Sequence, residues 1–232
     1  MTVAIMQPYL FPYIGYWQLI NLVDIFVIYD DVNYHKKGYI NKNNILISGQ
    51  AQSFTLELLQ ASQNKYINEI KVGHNSKKIL KTITMAYKKA PYFKKIYPLL
   101  EKILNNEEKN LAKYIGDSIM EISKYLKINT KFIYSSCIKK NNNLKAQNKI
   151  IDINKNLKST FYINAIGGLE LYDKAIFLKE NIKISFLSTV INEYTQFNNA
   201  FIPNLSIIDI LMFNSIDDII MMMDDFKLVG KV

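Results

Sequence analysis

The stretch that decides the fold stands near the start of the chain and reads Val3-Ala4-Ile5-Met6-Gln7-Pro8-Tyr9-Leu10-Phe11-Pro12-Tyr13-Ile14-Gly15-Tyr16-Trp17-Gln18. Its first four residues are apolar and predict a short β-strand, and the apolar positions from Trp17 to Val23 have helical spacing. Many α/β proteins bind a ligand where a strand leads through an irregular loop into a helix. The glutamine and the two prolines favour such a site, whereas the aromatic residues alone would also suit a hydrophobic core.

Strand and helix patterns alternate along much of the sequence. Ile25–Tyr29 is a nearly continuous apolar run, which is typical of a strand buried on both faces of a parallel sheet. The alternation resumes between residues 131 and 187. The sequence therefore predicts an α/β fold with an open, mostly parallel, doubly wound (Rossmann-like) sheet.

Other elements are expected to be added to this sheet. A β-hairpin is predicted between Tyr39 and Leu58, and three successive helical patterns predict a helical insertion at about residues 77–127. A short strand is predicted at Tyr66–Val72 and a helix at Leu169–Glu180. No internal repeat or flexible linker is visible, so we expect one α/β domain that covers residues 1–232.

The composition is that of a globular protein, since 49% of the 232 residues are apolar. No apolar run approaches the ~18 residues of a membrane span. The first residues lack the basic segment and cleavage site of a signal peptide. The one cysteine, Cys137, cannot form an intrachain disulfide, so we expect a cytoplasmic protein.

The charge is strongly positive, with a formal net charge of +9, and all 29 basic residues are lysine. Asparagine, isoleucine and lysine are abundant together, which indicates a compositional bias. We therefore do not interpret the charge as a sign of nucleic-acid binding. Without arginine, any phosphate group has to be held by lysine, backbone N–H groups or hydroxyls.

Polar residues follow several predicted strands, where the carboxyl ends of a parallel sheet meet. They are Gln7, Asp30, Asp31, His35, Ser135, Ser136, Asn164, Gly167 and Gly168. The two acids could form a metal site, supply a general base or bind sugar hydroxyls. The spacing identifies no further oxygen ligands, so no metal is predicted. His35 suits proton transfer near neutral pH, with a plain surface role as the alternative.

Two further segments are candidates for ligand contacts. Gly167-Gly168, before a predicted helix, would let a phosphate group approach the N–H groups of the helix start. Asn41-Lys42-Asn43 is a poor strand sequence, so its amides either face a ligand or form a surface turn. No base can be identified for Cys137 as a nucleophile, and no P-loop, GxGxxG or zinc-site spacing is present.

Several segments, spread over essentially the whole chain, resemble the WbqC-like family. They are Met6–Tyr16, Asp30-Asp31-Val32, Asn41-Lys42-Asn43, Gly167-Gly168 with Tyr172, and Leu205–Asp209. Lys42 stands where the resemblance leads us to expect an arginine. The lysine keeps the charge but cannot make the bidentate hydrogen bonds of a guanidinium group.

The resemblance implies a role in bacterial surface-polysaccharide (O-antigen) biosynthesis. The implied activity is N-acylation or aminoacylation of a nucleotide-linked amino sugar, with no bound cofactor. The acyl donor would be a thioester of a carrier protein or of coenzyme A. A basic protein would also attract an acidic acyl carrier protein.

This implied function gives each candidate residue a role. The tyrosines and the phenylalanine would stack on base and sugar, Lys42 and the glycine pair would hold phosphates, and Gln7 or Asn41 would donate to the oxyanion. The expected general base is Asp30, Asp31 or His35. The predicted substrate-binding residues are Gln7, Tyr9, Phe11, Tyr13, Tyr16, Asn41, Lys42, Asn43, Asn164, Gly167 and Gly168.

Three alternatives remain open. Two acids after an apolar strand are also found at the metal sites of glycosyltransferases, so another nucleotide-sugar enzyme is the first. A non-catalytic assembly protein of the same pathway is the second, and a nucleic-acid-binding protein is the third.

Overall fold

The computed structural model describes residues 1–230, so the last two residues of the predicted domain lie outside it. Its strands are β1 (Thr2–Met6), β2 (Ile25–Ile28), β3 (Lys42–Ile47), β4 (Gln50–Thr55), β5 (Leu58–Leu59), β6 (Lys71–Val72), β7 (Lys131–Tyr134), β8 (Phe161–Ala165), β9 (Lys183–Thr189) and β10 (Phe226–Val229). Its α-helices are α1 (Ile14–Leu22), α2 (Ser76–Tyr87), α3 (Phe93–Leu104), α4 (Leu111–Tyr125), α5 (Ala146–Asn156), α6 (Lys174–Lys179), α7 (Ile207–Phe213) and α8 (Ile216–Asp224).

Six strands form one sheet in the order β10-β9-β8-β1-β2-β7. β10 is antiparallel to β9, and the other neighbours are parallel. Val3 is paired with Ile25 of β2 and Thr2 with Phe161 of β8, so β1 lies near the centre. β3 and β4 form a separate antiparallel hairpin. The structure confirms the predicted α/β fold with its open, mostly parallel sheet.

Each face of the sheet packs against its own helices. On one face Ala4 and Phe26 lie in a core with Trp17 of α1 and with residues of α2, α3, α4, α7 and α8. On the other face Ile5 and Val27 lie in a core with residues of α5 and α6. The connection from β1 to β2 and the connection into β8 therefore lie on opposite faces. The carboxyl ends of β1 and β8 are therefore the position at which open α/β sheets of this topology bind ligands.

The three helices α2, α3 and α4 lie between β6 and β7. Their buried residues, such as Ile83 in α2 and Ile115 in α4, recur at helical spacing. None of the helices within residues 1–230 combines the length and the apolar character needed to cross a membrane.

The predicted strand at Tyr66–Val72 is wrong. Ile67–Glu69 forms a 3₁₀ turn, and only the last two residues of the segment form a strand, β6. The Glu69 carboxylate accepts a hydrogen bond from the Tyr66 backbone N–H over 2.7 Å. This capping contact stabilises a helical turn where the apolar pattern alone suggested a strand.

The predicted helix at Leu169–Glu180 is also wrong over its first part. Ile166–Leu171 forms a 3₁₀ helix, and α6 begins only at Lys174. Asp173 caps α6, because its carboxylate accepts a 2.8 Å hydrogen bond from the Ala175 N–H. The glycine pair therefore lies inside a 3₁₀ helix and not at the start of an α-helix.

Gly15, in the first turn of α1, lies against the end of β9. A Cβ atom there would lie 2.6 Å from Cε2 of Tyr13 and would overlap Oγ1 of Thr189. We expect Gly15→Ala to lower the free energy of unfolding by about 1–3 kcal/mol, because such overpacking shifts side chains or backbone. Urea denaturation measures the loss. Thr189→Ala in the Gly15→Ala background should restore part of it, and no recovery would contradict this explanation.

Candidate functional site

The opening loop, which follows β1, has a conformation fixed by residues far away in the sequence. Phe11 is buried and has a positive φ of 46°, which is unusual for a residue with a side chain. Its carbonyl accepts hydrogen bonds from Asn43 Nδ2 and Ser206 Oγ, both over 2.8 Å. Trp17 Nε1 donates to the Pro12 carbonyl over 3.0 Å. These contacts hold the strained turn in a single shape.

A cavity of about 330 Å³ lies beside this loop, a size at the lower end for small-molecule sites. We call it the tyrosine pocket, and its lining residues are Tyr9, Pro12, Tyr13, Tyr39, Asn43 and Asn204. The rings of Tyr9 and Tyr39 are 6.4 Å apart between centroids. Burial, reinforced by Tyr13 and Tyr39, raises the pKa of the Tyr9 phenol. The pocket therefore offers aromatic faces and a protonated hydroxyl.

The other two predicted aromatic contacts lie behind the pocket. Tyr16 is buried, with its ring 5.6 Å from that of Tyr9, and its hydroxyl donates to the Gln7 carbonyl over 2.8 Å. Phe11 is fully buried. Both side chains support the lining residues. Sequence analysis missed Tyr39 and Asn204; the aromatic residue after Gly38 was a usable signal, whereas nothing local marks Asn204.

The Asn41-Lys42-Asn43 segment mainly holds the structure together. Asn41 Oδ1 accepts from the Tyr34 hydroxyl over 2.9 Å, and its Nδ2 donates to the Leu56 carbonyl over 2.7 Å. Asn43 lines the pocket while its amide holds the opening loop. Lys42 belongs to the same strand as Asn43 and points to the opposite side, as alternation requires. Substrate contacts by these residues stay predictions, and an oxyanion contact from Asn41 would break existing bonds.

Asp30 follows β2 and is almost fully buried, at 3% exposure. Its Oδ1 accepts from the Ser136 N–H over 2.9 Å. Its Oδ2 accepts from the Ser136 hydroxyl over 2.6 Å and from Asn68 Nδ2 over 3.1 Å. These bonds join the ends of β2 and β7 to the 3₁₀ turn at Ile67–Glu69. A carboxylate with three donors is a poor general base unless this network opens.

Asp31 has entirely different partners, two lysines that approach from the loop after β7 and from α5. Its Oδ2 lies 2.8 Å from Lys140 Nζ and 3.3 Å from Lys149 Nζ. Burial alone would raise the pKa of the Asp31 carboxyl, but Lys140, the nearby Ser135 hydroxyl and Lys149 together outweigh burial and lower the pKa. A carboxylate held ionised in this way is a weak base.

The other predicted residues lie around the same edge of the sheet. His35 is exposed, in a loop where its carbonyl accepts from the Gly38 N–H over 3.0 Å. Gln7 is half-buried, and within residues 1–230 its side chain makes no hydrogen bond. Asn164 is buried, and its Oδ1 accepts from the Ala165 N–H over 2.8 Å. In the same part of the chain no three His, Cys, Asp or Glu side chains are grouped to hold a metal ion.

Comparison with known proteins places the chain in a family. The family model described as the WbqC-like protein family matches residues 7–221. The chain belongs to the WbqC-like family. Across 217 residues it is 26% identical to a Mycobacterium tuberculosis (strain ATCC 25618 / H37Rv) protein described as "Uncharacterized protein Rv1507c". The alignment covers 91% of this WbqC-like chain and 93% of that relative. No solved structure matches the chain.

The two adjacent glycines of this WbqC-like protein have different surroundings. A Cβ atom on Gly168 would lie 2.6 Å from Asn164 Nδ2 and 3.2 Å from Tyr172 Cε2, whereas one on Gly167 would meet no atom within 4 Å. Gly168 is therefore required for packing, and the Gly167 backbone is open to solvent.

We expect Gly168→Ala to lower the free energy of unfolding by about 1–3 kcal/mol, because the added methyl group displaces the Asn164 amide. Gly167→Ala is the matched variant and should change it by no more than about 0.5 kcal/mol. Chemical denaturation of both variants measures the contrast. Equal losses would show that the backbone conformation of the 3₁₀ helix, and not the Asn164 contact, requires glycine.

Proposed function

We propose that this protein is a transferase that binds a nucleotide-linked amino sugar and N-acylates it. The observation that carries the proposal is the tyrosine pocket, which is lined in part by the loop that follows β1 at the carboxyl edge of the sheet. Three of its six lining residues, Tyr9, Pro12 and Tyr13, belong to the opening motif that marks the family resemblance. The pathway, surface-polysaccharide biosynthesis, is supported only by that resemblance.

The size and chemistry of the pocket suit one ring of such a ligand. About 330 Å³ has room for one sugar or base, but not for a whole nucleotide-linked sugar. Tyr9, Tyr13 and Tyr39 offer flat apolar faces for stacking, and the side-chain amide of Asn204 and the tyrosine hydroxyls offer polar contacts. We place the sugar in this pocket and the charged part of the ligand outside it.

The proposed reaction is direct attack on a thioester. The sugar amine forms a bond to the thioester carbonyl carbon, the carbon–sulfur bond breaks, and the thiolate leaves. The nitrogen loses one proton, so that the products are an amide and a thiol. Of the three predicted bases, Asp30 is fully hydrogen-bonded and Asp31 is paired with lysines, whereas His35 has an exposed ring. We therefore assign the general base to His35.

A mass-spectrometric assay tests this function. The protein is mixed with nucleotide-linked amino sugars and with acyl or aminoacyl thioesters of coenzyme A and of a carrier protein. The expected result is a sugar product heavier by one acyl group, together with free thiol. No mass gain across the panel would overturn the acyltransferase proposal.

Two variants test the assigned residues. Tyr39→Ala removes a half-exposed pocket ring and should raise KM about tenfold or more, as expected for one stacked aromatic contact. Tyr97→Ala, on α3 in the helical insertion, is the matched control and should leave KM unchanged. His35→Gln should lower kcat by about 10²-fold or more. An unchanged kcat would remove His35 from the mechanism.

A further inference from the structure

Asp31, Lys140 and Lys149 form a cluster with unequal charge, which we call the lysine cluster. The cluster sets one carboxylate against two ammonium groups. The exposed fraction of the side chain is 12% for Asp31, 2% for Lys140 and 11% for Lys149. Within residues 1–230 no second carboxylate lies at ion-pair distance from either lysine. One positive charge is therefore mostly buried without a counter-charge, which is unfavourable unless an anion joins it.

The two lysines are held differently. Lys140 Nζ donates to the Ser135 carbonyl in addition to its pairing with Asp31, and its side chain is almost inaccessible. Lys149 Nζ makes the longer ion pair, donates to the Asp31 carbonyl over 3.0 Å, and lies 5.3 Å from the ring centroid of Tyr29. Lys149 is thus the more accessible and more weakly paired cation of the cluster.

The helix that carries Lys149 adds to this positive charge. Lys149 lies at the start of α5, whose first turn contains no acidic residue and whose N-cap, Lys145, makes no side-chain capping bond. Helix N-termini have a partial positive charge and favour anions. Lys145 and Lys149 at the start of α5 are therefore unfavourably placed unless an anion binds there. Asp31 Oδ1 and Ser135 Oγ are also buried here; the Ser135 hydroxyl lies near the Asp31 carboxylate and helps to lower its pKa, but neither atom makes a hydrogen bond of normal geometry within residues 1–230.

We propose that the lysine cluster and the start of α5 bind a phosphate group of the ligand. Lys149 turns from Asp31 to the phosphate, Lys140 remains paired with Asp31, and the Ser135 hydroxyl donates to a phosphate oxygen. In this proposal neither Lys42 nor the glycine pair is needed to hold the phosphate. The identity of the phosphate as part of a nucleotide-linked sugar rests on the proposed function; the anion site itself does not.

Isothermal titration calorimetry with inorganic pyrophosphate tests the site. Wild-type protein is expected to bind it, and Lys149→Met should weaken binding by roughly 10-fold to 100-fold, the loss expected for one charge-assisted hydrogen bond. Lys155→Met is the matched control, because Lys155 lies on the same helix in an exposed ion pair with Glu180. The Lys155→Met variant should bind pyrophosphate with the affinity of the wild type.

A second variant keeps the test decisive if Lys149→Met does not fold. Ser135→Ala removes a hydroxyl that lies near Asp31 and makes no hydrogen bond of normal geometry in the described chain, so folding should be preserved while pyrophosphate binding weakens several-fold. Undetectable binding to wild-type protein at millimolar pyrophosphate would overturn the proposal. Equal binding to wild type, Lys149→Met and Ser135→Ala would also overturn it.

Titration with nucleotide-linked sugars separates this inference from the proposed function. If pyrophosphate binds in a Lys149-dependent way and no nucleotide-linked sugar binds, the anion site stands and the proposed function fails. If a nucleotide-linked sugar binds wild type and Lys149→Met equally well, the ligand class of the proposed function is supported, and the assignment of its phosphate to the lysine cluster fails.

Discussion

Asp209→Ala should lower the free energy of unfolding by about 3 kcal/mol or more, since it leaves three buried donors without an acceptor. Asp209 is fully buried in α7. Its Oδ1 accepts from the Tyr87 hydroxyl, and its Oδ2 accepts from the Tyr194 hydroxyl and from Gln196 Nε2, each over 2.7 Å. This carboxylate joins α7 to α2 and to the segment that follows β9. Urea denaturation followed by circular dichroism measures the loss.

Two comparisons check the cause of this loss. Asp217→Ala, at an exposed position in the first turn of α8, should change the free energy of unfolding by no more than about 1 kcal/mol. Asp209→Asn keeps the shape and one acceptor oxygen, so its effect should lie between those of the two alanine variants. If Asp209→Ala proved no worse than Asp217→Ala, the network would not stabilise the fold.

The pH dependence of stability has a definite sign at Asp209. Burial raises the pKa of this carboxyl above its ordinary value of 3.8, and the three donors lower it by less. The folded protein therefore takes up this proton at a higher pH than the unfolded chain does. As the pH falls through the raised pKa, this group increases the free energy of unfolding, and Asp209→Asn removes the increase.

Asp31→Asn should lower the free energy of unfolding by about 3–5 kcal/mol, because it leaves two mostly buried ammonium groups with no counter-charge. Lys149→Met should change it by only about 1 kcal/mol, because it leaves Asp31 and Lys140 as a balanced pair. The unequal charge of the lysine cluster is the reason for this asymmetry. Denaturation of both single variants and of the double variant Asp31→Asn with Lys149→Met measures the coupling.

The double variant supplies the control. Removing Lys149 from the Asp31→Asn protein should recover part of the lost stability, since one of the two unpaired charges disappears. Simple additivity of the two single changes would contradict the charge argument. The pH dependence is opposite to that at Asp209. Because the pKa of Asp31 is lowered in the folded protein, this carboxylate stabilises the fold at pH values above its ordinary pKa of 3.8. The contribution is lost as the pH falls through the lowered pKa.

Much of the fold could be predicted because apolar patterns report local burial. All four residues of β2 are buried, as its unbroken apolar run indicated. The elements that were wrong depend on single polar contacts, such as the Glu69 cap and the Asp173 cap, which outweigh a short apolar pattern. Strand β10 was missed because four residues directly after a helix give no clear period.

The candidate site was predictable in place but not in detail. The sequence predicts that the candidate residues lie at the ends of the parallel strands, and the structure has them there because topology brings these ends to one edge; their functional roles stay predictions. It could not distinguish Asp30 from Asp31, because their partners Ser136 and Lys149 lie more than a hundred residues away. Nor could it show that the amide of Asn43 faces the chain's own backbone. Side-chain partners across such separations are set by tertiary packing.

The two hydrogen bonds that the Phe11 carbonyl accepts have a consequence for folding. Their donors, Asn43 and Ser206, are separated from Phe11 by 32 and 195 residues along the chain. Contacts between such distant residues form only after long loops have closed, and they are slow to form. The tyrosine pocket is therefore expected to be among the last parts of the molecule to acquire its shape. An amino-terminal fragment that contains every lining residue except Asn204 would not reproduce it.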